Sequence, residues 1–236
     1  MPLPANNLLF GFEPKLTKEQ RIYVDSIFDN QLTIVNARSG TGKTTLAVAC
    51  AKIIGKPLVY VFSPVEEKKM GFRPGTQAEK ESEYLTPLKD ALLEIGEVPE
   101  KVVYNEENAE ALKAGHVWVY PMSHIFARGI NLKDKTVILA ESQNYTRGDM
   151  KKILTRIHNN CTVIIEGHTG QCDLPDESKS GLAPYIEHFR NEPYCEVIEL
   201  TKNFRGRLAQ IARDYNVCKD TIYQIRRGDT YSDISI

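Results

Sequence analysis

The sequence has no apolar run approaching the roughly 20 residues needed to cross a bilayer, so a helical membrane protein is not expected. Its opening stretch, MPLPANNLLFGF, lacks the basic segment that begins a secretory signal. Cysteine is sparse and unpatterned. Cys50, Cys161, Cys172, Cys195 and Cys218 are odd in number, scattered and never spaced as CxxC, which argues against a disulfide framework and for reduced thiols. These absences point to the cytoplasm, that of a host if the chain is viral. An excess of charge is missing too: 30 Lys and Arg against 31 Asp and Glu leave a net charge of -1. Any contact with nucleic acid must therefore come from a local patch. Internal repeats and low-complexity segments are also lacking.

What is present is enough apolar sequence, 42% of 236 residues, for one well-buried core and a small appended module. The division expected is a main domain over 1–206 and a helical tail over 207–236. Short runs rich in β-branched residues at 32–35, 58–62, 136–139, 162–165 and 196–200 predict buried parallel strands. Apolar residues at three- and four-residue spacing over 17–28, 44–54, 87–95 and 150–157 predict helices that cover the sheet faces. This alternation sets the fold class as α/β, a layered α/β/α arrangement on a mostly parallel sheet. The segment 63–86 is charged and broken by Gly71, Pro74 and Gly75, and its length suggests a functional loop.

The most informative stretch is LTIVNARSGTGKTTLAVACAKII, a strand, a small-residue loop and an amphipathic helix, the context a phosphate-binding P-loop requires. Ser39, Gly40, Thr41 and Gly42 let backbone N–H groups converge on phosphate oxygens. Lys43 would reach the β and γ phosphates, Thr44 would offer its hydroxyl to Mg²⁺, and Thr45 continues the cradle. The first glycine of GxxxxGKT is replaced by Ala37, which a negative φ would tolerate. ATP with Mg²⁺ is the expected ligand. Upstream, Thr17 and Gln20 in LTKEQ have the spacing of a capping box, so Gln20 can be read either as a helix cap or as a ligand contact.

Several further islands resemble, in order and spacing, the PhoH-like proteins, whose ATPase core is similar to that of superfamily 1 helicases. They are SGTGKTT, SPVEEKKMGFRPGTQAEKESEYLTPLKDAL, HIFARGINLKDKTVILAESQN, LTRI, and GHTGQCDLP followed by SKSGL. The resemblance runs from about Leu16 to Arg205. It implies that Gln20 contacts adenine, that Glu141 polarises the attacking water beside the metal, and that Gln143 senses the γ phosphate. It also implies that Gln171 couples the γ phosphate to motion and that Arg205 spreads transition-state charge. Arg128, before Gly129, resembles the family's Arg-Gly step, and a plain turn explains it equally well.

Two positions depart from that pattern. Ala140 stands where the family's DEAQ motif has an Asp that supports the Mg²⁺ shell, and His168 stands where an Asp is common. Loss of one charge-assisted hydrogen bond, worth roughly 1.5–3 kcal/mol, would weaken turnover without abolishing binding. A nucleotide-binding regulator with little or no hydrolysis is therefore a rival expectation. A small-molecule kinase is a poorer one, because no acceptor motif or arginine-rich lid is present. His168 and Cys172 are four apart but lack a second ligand pair, so no zinc site is expected.

From 208 the sequence LAQIARDYNVCKDTIYQIRRGDTYSDI resembles a helix-turn-helix, with helices over 208–215 and 219–227. Lys219, Thr221, Tyr223, Arg226 and Arg227 would then meet nucleic acid, RNA or DNA. Residues 202–229 carry a local charge of +4, seven basic against three acidic side chains, which suits phosphate contacts. A pair of amphipathic helices completing the core explains the same pattern. A homo-oligomer is compatible with the resemblance but has no sequence signature here.

Overall fold

The β-branched runs form strands because buried Val and Ile pack well on a pleated surface, and the computed structural model describes the result over residues 9–64, 84–105 and 113–206. Within those residues the order begins with α1 (Lys18–Asp29), β1 (Leu32–Ala37), α2 (Lys43–Ile54) and β2 (Leu58–Phe62). It continues with α3 (Thr86–Glu94), α4 (Pro99–Val102), β3 (Val119–Ser123), α5 (His124–Ala127) and β4 (Thr136–Leu139). The last elements are α6 (Arg147–Leu154), β5 (Thr162–Gly167), α7 (Leu182–Phe189) and β6 (Cys195–Leu200). The tail beyond 206, with Lys219, Thr221, Tyr223, Arg226 and Arg227, lies outside the described residues, as does most of the loop expected over 63–86.

The six strands form one sheet in the order β3-β2-β4-β5-β1-β6, every adjacent pair parallel. Strand β5 thus lies between β1 and β4, with Val35 opposite Glu166 on one side and Leu139 opposite Ile165 on the other. Alternate residues point to opposite faces, and each face has its own core. On one face Val35, Tyr60, Ile138, Ala140 and Ile164 meet Tyr23 and Ile27 of α1, the small-residue run Ala47–Ala51 of α2, and Leu88 and Leu92 of α3. On the other, Ile34, Val61, Val137, Leu139, Val163 and Ile165 meet Met150 and Ile153 of α6 and Leu182 and Ile186 of α7. Each fully buried Leu or Ile contributes about 1.5–3 kcal/mol by leaving water. The layered α/β/α expectation therefore holds.

Helix α2 is buried nearly all round, with Ala47, Val48, Ala49, Cys50 and Ala51 fully covered by the sheet and by flanking helices. That burial fixes its N-terminus, and with it the loop after β1, at the carboxyl ends of the strands. In open α/β sheets this is where ligands bind. Strand β3, which contains Pro121, was not among the expected strands. Among the named strands it pairs with β2 alone, an isolated bridge joining Val119 to Val103, and an edge position tolerates proline. Among the described residues no helix is long and apolar enough to cross a membrane.

Candidate nucleotide site

Strand β1 ends at Ala37, which is buried and keeps a negative φ, so the missing first glycine distorts nothing. The chain then turns through Gly40 (φ 84) and Gly42 (φ 81), left-handed positions that favour glycine. Thr41 is buried and its hydroxyl donates to the Arg38 carbonyl at 3.0 Å, closing the loop on itself. Helix α2 begins at Lys43 with no side-chain cap, leaving first-turn N–H groups for an anion, as a phosphate cradle requires.

Lys43 is only 7% exposed, yet its ammonium lies 3.8 Å from Oε1 of Glu141. Glu141 follows β4 in a left-handed conformation (φ 49) that is uncommon for a non-glycine residue and found at strained functional positions. Its other oxygen accepts from Nε2 of Gln143 at 2.7 Å, and Oε1 of Gln143 accepts the His168 N–H at 3.1 Å. Gln143, itself buried, thus ties the end of β4 to the end of β5. Gly167 permits this approach, since a Cβ there would lie 2.7 Å from Oε1 of Gln143. The His168 imidazole is held below its ordinary pKa, first by burial and then by the cations Arg38 and Lys43.

The expected Asp position is Ala140, which is buried, but a carboxylate stands one strand over. Glu166 of β5 is fully buried, accepts the Thr44 hydroxyl at 2.8 Å on Oε2 and the Tyr23 hydroxyl at 3.3 Å on Oε1. Burial pushes its carboxyl up to about 7, against the lowering pull of Lys43 and of the Thr44 hydrogen bond. Sequence reading missed Glu166, because in TVIIEG it looks like an ordinary residue at the end of an apolar strand.

Gln20 forms the helix cap that its sequence allowed and also reaches the P-loop. The capping box is formed, with the Thr17 N–H donating to Oε1 at 3.0 Å, while Nε2 donates to the Thr41 carbonyl at 2.9 Å. A side-chain amide has capacity beyond these two bonds, so a further contact with a ligand remains open to it. A second set of contacts to the loop was also unforeseen. Nδ2 of Asn203 donates to the Ser39 carbonyl at 2.6 Å, its Oδ1 accepts the Arg205 N–H at 2.7 Å, and the Phe204 N–H donates to the Gly40 carbonyl at 2.8 Å. The segment after β6 is therefore strapped to the P-loop and carries Arg205 to its edge.

These elements surround an open cleft of about 590 Å³, lined by Gln20, Ser39, Gly40, Gly42, Lys43, Thr44 and Thr45, with Glu141, Arg205, Phe12 and α3 around them. Gln143 and Gln171 are not part of its lining. Gln143 is one layer behind, and Gln171 is exposed in the turn after β5, its N–H donating to the His168 carbonyl at 3.1 Å. Arg128 is paired elsewhere, with Asp149 at 3.6 Å. The uncapped helix start, the Lys43 ammonium, the Thr44 hydroxyl and the Glu141 carboxylate, with Glu166 behind Thr44, are a donor set that fits a nucleoside triphosphate with a divalent cation.

The profile of the PhoH-like protein family matches residues 13–215. A PhoH-like protein of Mycobacterium tuberculosis is 33% identical over 191 residues, 78% of this chain and 52% of that protein. The protein PhoH of Escherichia coli K12 is 33% identical over 187 residues, 76% of this chain and 51% of that protein. The chain thus spans about half the length of the curated relatives it matches. Among solved structures, the Pyrococcus furiosus Hef helicase domain is similar over 80% of this chain and 39% of that one, with 15% identity and a TM-score of 0.49.

Proposed function

The chain belongs to the PhoH-like protein family, a P-loop NTPase type, and we propose that it is a Mg²⁺-dependent ATPase that acts on or with nucleic acid. The observation that carries this reading is the meeting of Lys43, Thr44 and Glu141 at one end of the cleft, with Lys43 and Glu141 3.8 Å apart. The β and γ phosphates would lie on the N–H groups of Gly40 to Thr45 and on Lys43, which neutralises their charge. Thr44 would hold the cation, whose charge would help to neutralise the phosphates. Glu141, half exposed at the mouth, would accept a proton from an attacking water, its carboxylate held by the 2.7 Å hydrogen bond from Gln143. Adenine would reach Gln20 and the ring of Phe12, and Arg205 would approach the γ phosphate from the strap.

Nucleic acid enters through the sequence of the tail, where Lys219, Thr221, Tyr223, Arg226 and Arg227 sit in a locally basic stretch. Unwinding is not part of the proposal, since it usually needs two cores or a ring of copies. Scattered cysteines, with Cys50, Cys161 and Cys195 free and buried, suit a cytoplasmic protein.

The test is ATP hydrolysis by the purified protein with Mg²⁺, with and without single-stranded RNA or DNA, beside Lys43→Ala. Turnover lost in that variant and raised by one polymer is expected, and it names the partner. ATP binding with no turnover under any condition would sink the ATPase and leave the non-hydrolysing regulator.

A further inference from the structure

We propose that Glu166 is the positioning residue that supplies the metal-shell carboxylate absent at position 140, so that this chain carries on β5 a function its family's pattern places on β4. The inference rests on the nucleotide-site reading above and deepens it. Three observations carry it. First, the hydroxyl of Thr44, the group offered to a P-loop cation, donates to Oε2 of Glu166 at 2.8 Å, which fixes where that oxygen points. Second, positions 140 and 166 face the same way. Leu139 and Ile165 are register partners, so the residue after each projects to the opposite face, where Ala140 joins the core that includes α2 and Glu166 meets Tyr23 and Thr44. Third, Glu166 is fully buried, and Thr44 and Tyr23 donate to its two oxygens while Lys43 lies close by. A carboxylate is seldom buried among apolar side chains without such partners, and a structural role alone would be served by an uncharged residue.

The two positions also complement one another. Neighbouring parallel strands are about 4.8 Å apart, so Asp at 140 beside Glu at 166 would set two carboxylates against each other under one helix. Alanine at 140 leaves that space to the longer glutamate side chain. The departure at 140 is then a relocation of the carboxylate and not a lesion. Glu166 would receive hydrogen bonds from water on the cation and hold the Thr44 oxygen toward it, the outer-shell role whose loss typically lowers metal affinity 10- to 100-fold.

The experiment is a titration of Mg²⁺ against binding of a non-hydrolysable ATP analogue, repeated in EDTA, for the parent, Glu166→Gln, Ala140→Asp and the double variant. Glu166→Gln is expected to raise the Mg²⁺ midpoint at least about tenfold while affinity in EDTA stays within about twofold, and Ala140→Asp on that background is expected to bring the midpoint back down. Ala140→Asp alone should leave the midpoint no lower than in the parent, an arm that stands even if Glu166→Gln does not fold. An unchanged midpoint in Glu166→Gln overturns the proposal. So does an equal loss of affinity in EDTA, which marks a general distortion of the loop, or a tenfold tightening by Ala140→Asp alone. Analogue binding that is absent in the parent, or indifferent to Lys43→Ala, overturns the nucleotide site itself and this inference with it.

Discussion

Replacing Gly40 by alanine places a methyl group in the tightest part of the loop, and the structure lets its two effects be separated. The first is conformational: at φ 84 an L-residue loses roughly 1–2 kcal/mol relative to glycine. Gly55, at φ 76 after α2, meets the same penalty, but a Cβ there touches nothing closer than 4.0 Å. The second effect belongs to Gly40 alone. Its Cβ would lie 2.7 Å from Cγ of Arg205, 2.8 Å from Nδ2 of Asn203 and 2.9 Å from Cδ of Arg205. The arginine can swing into solvent, but Asn203 cannot move without breaking its bonds to Ser39 and Arg205. Each is worth about 0.5–1.5 kcal/mol, so Gly40→Ala should lose about 1–3 kcal/mol more than Gly55→Ala. For a domain of this size that is a further fall of roughly 5 °C in Tm. Denaturant unfolding and thermal melting of both variants measure the gap. The same pair in an Asn203→Ala, Arg205→Ala background should close it to within about 0.5 kcal/mol. Equal destabilisation at 40 and 55, or a gap that survives the truncations, would refute the strap over the P-loop.

The burial that raises Glu166 to about 7 makes the nucleotide-free protein pH-sensitive. A carboxyl whose folded pKa lies above the ordinary 4.5 contributes stability that is full below about 4.5 and is lost as pH rises through about 7. Denaturant midpoints should therefore fall across that window and flatten above it, and Glu166→Gln should remove this part of the slope; an unchanged slope would contradict the burial argument. Gln20→Leu should destabilise by about 1–3 kcal/mol, since it removes the return bond of the capping box and leaves the buried Thr41 carbonyl without its donor. A loss below about 0.5 kcal/mol in urea unfolding would show that neither contact matters. Arg205→Ala, at an exposed side chain, should leave Tm within about 2 °C while lowering kcat tenfold or more. A kcat unaltered by the truncation would remove Arg205 from the site.

Five of the six strands are visible as β-branched runs, because burial on both faces of a parallel sheet demands them. The sixth, β3, carries Pro121 and stands at the edge of the strand order, so its pattern is diluted. Helix α7 was not foreseen either, since Pro184 interrupts its sequence, yet in the first turn proline removes no helical hydrogen bond. The loop of the site was fully legible, because Gly40, Gly42, Lys43 and Thr44 are contiguous and each has a local task. Glu166 was not, since its meaning arises from β5 lying beside β1 and from the 2.8 Å contact with Thr44, both products of sheet order. Asn203 likewise acts across 164 residues on Ser39, a pairing no local pattern encodes. Gln20 shows the opposite case: a signature read as either cap or ligand contact proved to be a cap that also grips the loop.

The central claim is that the loop between β1 and α2 binds nucleoside triphosphate through Lys43. Calorimetric titration of Mg²⁺ATP into the parent protein and into Lys43→Ala tests it most directly. The account predicts saturable binding near one site per chain, weakened at least about tenfold by the substitution, since a charge-assisted contact to phosphate contributes about 1.5–3 kcal/mol. Equal affinity in both proteins, or no saturable heat with the parent, would contradict it.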